Sequence, residues 1–101
     1  MTAASALPRM TEKAWMAQVT ELARTLGWRV YHPWLSIRSE RGWPDLAFVR
    51  PGRFVMAELK TDRGKLTPSQ EEWIDALRGA GVEVHVWRPA DWDDVVEVLR
   101  P

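Results

Sequence analysis

Asp45, Glu58 and Lys60 are the residues whose types and spacing best suit chemistry. Pro51-Gly52 marks a turn between two apolar runs. If that turn is a two-residue loop, Arg50 pairs with Arg53 and Asp45 lies opposite Glu58. Directly opposed residues hold their Cβ atoms roughly 4.5–5.5 Å apart. Pro-Gly is not the favoured hairpin dipeptide, but a symmetric lengthening of the loop keeps the same register. Side chains alternate along a strand, so Lys60 shares the face of Glu58 with Met56 and Phe54. Two carboxylates this close repel unless something positive sits between them. With no cysteine in the chain and neither His32 nor His85 at zinc-ligand spacing, the donors are oxygens, which suit a hard cation such as Mg²⁺ or Mn²⁺. The Leu59 carbonyl offers a third ligand. Such a cation polarises a phosphate and acidifies water, while Lys60 orients the water or stabilises the charge that develops. This is equipment for phosphodiester hydrolysis. The plain alternative is an ion pair of Lys60 with Glu58 or Asp45 at a strand end, since acid-x-Lys triplets are common by chance. Against it, three charged groups converge at one end of a central hairpin, where unpaired charge is costly.

These residues need elements to position them. Residues 11–26 place Trp15, Met16, Val19, Leu22, Ala23 and Leu26 at three- and four-residue steps, an amphipathic helix stopped by Gly27. A short strand follows at 28–31, then a polar, basic loop at 33–42. Strands at 45–49 and 53–60 form the hairpin, the second apolar on both faces from Phe54 to Ala57 as in a central strand. After a charged loop at 61–66, Thr67 caps a helix with Pro68 at its first position. That helix runs to about Gly79 and buries Trp73, Ile74 and Leu77. A strand at 82–87 and a last helix, capped by Asp91 and carrying Val95, Val96 and Leu99, complete the chain. The order α-β-β-β-α-β-α predicts an α/β domain: a mixed central sheet flanked by helices, antiparallel at the hairpin and parallel across the right-handed crossover. Residues 1–10 read as a flexible tail and 11–101 as one domain.

The chain has 101 residues, 14 basic and 14 acidic. The charge is unevenly placed: 11 Lys/Arg against 6 Asp/Glu in residues 1–70, and 3 against 8 in residues 71–101. A basic leading part favours an anionic partner. Arg38, Arg41, Arg63 and Lys65 flank the proposed site and suit phosphate contact, against a bland reading as soluble loop residues. Of the seven tryptophans, Trp15, Trp28, Trp73 and Trp87 fit core positions. Trp34 and Trp43 sit in loops, placed to stack on a base, to pack between two copies, or simply to join the core. The absence of cysteine excludes disulfides and thiolate chemistry. The leading residues carry no long apolar stretch, so neither a signal peptide nor a membrane span is expected, and the location expected is cytoplasmic.

Gly42-Trp43-Pro44-Asp45 followed by Glu58-Leu59-Lys60 resembles the PD-(D/E)xK nuclease superfamily. Thr67-Pro68-Ser69-Gln70, its helix and the strand 84–87 make the chain similar to the VRR-NUC family in its stand-alone phage and bacterial form. The resemblance spans about residues 11–92. It implies a restriction-endonuclease-like core and a Mg²⁺- or Mn²⁺-dependent DNA endonuclease, working in a bacterial or phage-infected cell. Asp45 and Glu58 match the metal-binding acids, Lys60 the catalytic lysine and Gln70 the helix glutamine near the site. A first-helix acid often completes such sites. Glu12, three and four residues before Trp15 and Met16 and so expected on the buried side, is preferred to Glu21. The resemblance also implies a homodimer acting on branched DNA in the manner of Holliday junction resolvases. A non-catalytic nucleic-acid-binding domain on the same scaffold is the competing reading; a pure binder has no need of carboxylates aimed at phosphate. A structural protein with buried ion pairs leaves the basic loops and Gln70 unexplained.

Overall fold

The computed structural model describes residues 10–33 and 40–101. Thr11 opens α1 (Glu12–Thr25) by accepting the Ala14 N–H at 3.0 Å, and Trp15, Val19 and Ala23 form its buried stripe. Gly27, at φ +93°, turns the chain out of the helix. The strands are β1 (Arg29–Tyr31), β2 (Leu46–Arg50) and β3 (Arg53–Leu59). Then come α2 (Pro68–Gly79), β4 (Glu83–Trp87), a 3₁₀ turn (Pro89–Asp91) and α3 (Trp92–Leu99). The sheet order is β1-β2-β3-β4, antiparallel from β1 to β3 and parallel between β3 and β4. The α/β class, the element order and the hairpin register all follow the sequence pattern: Arg50 opposes Arg53 and Leu46 opposes Ala57.

Helices cover both faces of the sheet. On one, α1 and α3 bury Trp15, Val19, Phe48, Val55, Ala57, Leu59, Trp87, Val95 and Leu99 in one cluster. Two indoles tie this cluster to backbone: Trp15 Nε1 donates to the Trp87 carbonyl at 3.0 Å and Trp28 Nε1 to the Leu99 carbonyl at 2.7 Å. On the other face, α2 packs a smaller cluster around Met56, Ile74 and Val84. No helix among the described residues is long and apolar enough to cross a membrane.

Four details differ from the sequence expectation. At the open end of the hairpin each strand stops one residue short, β2 beginning at Leu46 rather than Asp45 and β3 ending at Leu59 rather than Lys60, and the last β2–β3 pair is Leu46 with Ala57. The register would set Pro44 opposite Leu59, and proline has no N–H to donate; the Asp45 side chain ends the ladder instead, accepting the Leu59 N–H at 2.8 Å. Phe54 is 45% exposed, as is its cross-strand partner Val49, because the α2 cluster gathers around Met56 and does not take in this end of the hairpin. Asp91 does not cap α3 with its side chain; its carboxylate accepts the Arg88 N–H at 2.8 Å and closes the 3₁₀ turn. In α2 only Ile74 is fully buried, with Trp73 and Leu77 partly so.

Candidate active site

The site forms where the hairpin ladder ends, beside the N-terminus of α2. Glu58 is the last residue of β3 to point toward α2. It is 2% exposed and the one buried charged residue among those described. Its Oε2 accepts the Gln70 Nε2 at 2.8 Å and lies 3.6 Å from Lys60 Nζ. Its Oε1 is buried without any hydrogen-bond partner. Asp45 sits one step before β2, its Oδ2 held by the Leu59 N–H. The Asp45 carbonyl oxygen is 3.0 Å from His32 Nδ1; a carbonyl only accepts, so Nδ1 carries the proton.

The electrostatics follow from this placement. Burial raises the Glu58 pKa from its ordinary 4.5 to about 8; the Asp45 charge adds to the rise and Lys60 opposes it. Asp45 is raised too, chiefly by burial, with the Leu59 N–H pulling down and the Glu12 charge pushing up. Without a cation, the pair therefore keeps a proton at neutral pH.

The plain Glu58–Lys60 ion pair exists, but it leaves Oε1 and the pressing-in of Asp45 unexplained. A bound cation would account for both. The donors are all hard oxygens: the two carboxylates and the Leu59 carbonyl. Lys60 N–H donates to the Trp87 carbonyl of β4 at 3.0 Å, so the peptide groups of Leu59, one residue earlier, face the β2 side. There Pro44 has no N–H to give the Leu59 carbonyl. No group of three His, Cys, Asp or Glu side chains converges among the described residues. Two carboxylates and a carbonyl would fit a hard cation that takes oxygen ligands, such as Mg²⁺.

The other sequence candidates fall at different distances from this centre. Gln70 is in it. Glu12 is exposed at the first turn of α1, not on its buried side; it reaches the site through its charge on Asp45. An open groove of about 1060 Å³ between α1 and β1 is lined by Glu12, Met16, Glu21, Tyr31 and His32 and ends at Asp45. Arg41, Arg63 and Lys65 are exposed in the flanking loops. Arg38 and Trp34 lie outside the described residues. Trp43 packs edge-on against Trp73 at 4.9 Å, which is the core reading. His85 pairs with Glu83 at 2.7 Å, away from the site.

Two positioning contacts had no sequence signal strong enough to read. Gly42, at φ +89°, lies against the start of α2: a Cβ there would come within 2.5 Å of the Ser69 carbonyl group and 2.8 Å of Gln70 N. Arg88 Nη1 donates to the Thr61 carbonyl at 2.6 Å, tying the loop after Lys60 to the end of β4.

This arrangement can be compared with known proteins. The family model described as VRR-NUC domain matches residues 36–91, more than half of the chain. The chain belongs to the VRR-NUC family. A solved structure described as a VRR_NUC domain protein superposes with a TM-score of 0.73 at 21% identity, covering 91% of this chain and 87% of that one. A second, described as a VRR_NUC domain, gives a TM-score of 0.71 at 27% identity over 85% of this chain and 94% of the other. No curated protein matches the chain. VRR-NUC domains are nuclease domains, so the chain is of nuclease type and its substrate class is nucleic acid. Within the matched residues fall Asp45, Glu58, Lys60 and Gln70; Glu12 lies before them.

Proposed function

We propose that the chain is a DNA endonuclease that uses Mg²⁺ or Mn²⁺ to hydrolyse phosphodiester bonds, most readily in branched DNA, and that it acts as a homodimer. The observation that carries the reading is the buried, partnerless Oε1 of Glu58 beside Asp45 and Lys60. Asp45, Glu58 and the Leu59 carbonyl would hold the cation, with Glu12 near enough to add charge. The cation would supply the Lewis acidity that polarises the phosphate and makes water a nucleophile.

The chain's own residues do the rest. Lys60, 16% exposed, presents an ammonium beside the carboxylates; an ammonium donates and does not ligate, so it orients the attacking water or meets the charge developing on phosphate. The Leu59 N–H fixes the Asp45 rotamer, and Gln70 fixes that of Glu58. Arg38, Arg41, Arg63 and Lys65 would hold backbone phosphates on either side of the cut. Resolution of a branched junction needs two cuts, which motivates two copies. The exposed Tyr31, Val49 and Phe54 offer apolar surface for such pairing.

Labelled linear, flap and four-way-junction DNA incubated with Mg²⁺, Mn²⁺ or EDTA tests this reading. Cleavage that requires the metal and favours branched substrates is expected. Cleavage undiminished in EDTA would reject the metal-dependent mechanism, and tight binding without cleavage under any condition would favour a DNA-binding module.

A further inference from the structure

Gln70 occupies the third position of α2, where its backbone N–H donates to Thr67 Oγ1 at 3.2 Å and its side-chain Oε1 accepts the Thr67 N–H at 2.9 Å. That reciprocal pair is a capping box. A backbone N–H can only donate, so the amide oxygen must face Thr67 and the amide NH₂ must face Glu58. The cap therefore decides which end of Gln70 meets the acid.

We propose that Gln70 is a positioning residue: the capping box of α2 aims its amide so that one oxygen of Glu58 is clamped and the other is left free for a divalent cation. This rests on the cation-site reading above. The clamp takes Oε2, and Oε1 is the atom left buried and unpartnered. A buried acceptor without a partner is unfavourable, so a side chain locked in that orientation is primed for a ligand. Capping alone does not need an amide here, because glutamate serves equally at this position of a capping box. Glu58 does need one, because only an NH₂ can donate to it while Oε1 stays engaged by Thr67.

The same helix turn also locates Asp45. Gly42 approaches Ser69 and Gln70 too closely for any Cβ, and Trp43 packs on Trp73 of α2. The loop that delivers Asp45 and the clamp that holds Glu58 are thus referenced to one rigid turn, which sets the separation of the two acids.

Gln70→Met and Thr67→Ala separate the two roles, since both weaken the cap and only the first removes the amide donor. Thr67→Ala keeps the Thr67 N–H that holds Gln70 Oε1. In the full chain, both variants should melt below wild type without metal. Mg²⁺ affinity by calorimetry should fall about tenfold or more in Gln70→Met, the loss of one hydrogen bond to a charged group, and stay near wild type in Thr67→Ala. In the metal-free wild type, the Gln70 side-chain NH₂ should exchange slowly with solvent by NMR. Wild-type Mg²⁺ affinity in Gln70→Met, an equal loss in both variants, or fast exchange of that NH₂ in wild type would overturn the clamp. A wild type that binds no Mg²⁺ would reject the cation site itself, and the clamp with it.

Discussion

The two faces of β3 bury their residues on different terms. Toward α1 and α3, Val55, Ala57 and Leu59 are at most 1% exposed and join a large cluster of apolar side chains. Toward α2, Met56 is followed by Glu58, just as deeply buried, with Gln70 and Lys60 arranged around it. The first face is stabilised by apolar area removed from water. The second carries a carboxyl group that burial disfavours in its charged form, and that is stable only protonated or bound to something positive. One strand thus serves as scaffold on one side and carries the proposed site on the other, with the alternation of side chains keeping the two apart.

Substitutions on the two faces should have opposite signatures, and the largest effects belong to the site. Lys60→Ala should reduce single-turnover cleavage by about 10²–10³-fold, in line with loss of one charge-stabilising donor, while leaving Mg²⁺ binding and melting nearly unchanged. Near-normal cleavage would make Lys60 only a strand-end charge. Trp15→Ala, on the scaffold face, should cost about 3–5 kcal/mol of stability by cavity formation and loss of the indole bond to Trp87. Denaturant unfolding would measure it; a loss well under that range would mean that α1 contributes little to the core.

Gly42→Ala should lie between the two classes. The new Cβ meets helix backbone at 2.5 Å and the φ is unfavourable for alanine, so the Asp45 loop must shift off α2. About 1–3 kcal/mol of stability should be lost, with a fall in Mg²⁺ affinity that Trp15→Ala does not share. Equal Mg²⁺ affinity would show that the loop absorbs the strain without moving Asp45.

Glu58 should set the pH dependence of stability without metal. The folded pKa of Glu58, about 8, lies above its ordinary 4.5, so between these values the folded state holds a proton that the unfolded chain has released. The resulting stabilisation is full below the lower value and is lost as pH rises through the upper one. EDTA-treated protein should therefore melt lower at pH 8.5 than at pH 5.5. Glu58→Gln should flatten that trend and raise the melting temperature at the alkaline end. A trend unchanged by Glu58→Gln would assign it elsewhere.

Much of this could be read from the chain. The helix periodicity, the Pro51-Gly52 turn and the Thr67-Pro68 cap are local signals, and a single register assumption then placed Asp45 against Glu58. Gln70 was identified by likeness to a family; its clamp on Glu58 needed the three-dimensional approach of α2 to β3. Helix phase alone selects Glu12 and does not reveal that Glu12, Lys13 and Ala14 stay exposed, with the buried stripe of α1 beginning only at Trp15. Phe54 was expected to be buried because strand pattern reports apolarity and not how far a helix extends over the sheet. Gly42 gave no local sign of its role, since its requirement comes from backbone 27 residues away in sequence.

In the proposed cation site, the buried carboxyl of Glu58 is held protonated until a divalent cation replaces the proton. Calorimetric Mg²⁺ titrations at pH 7, repeated in buffers of different ionisation enthalpy, count the protons released on binding. Displacement from Glu58 predicts release of about one proton per Mg²⁺ at pH 7, fading above pH 9 as the group ionises unaided, and absent in Glu58→Gln. Mg²⁺ binding to wild type without proton release at pH 7 would contradict the account.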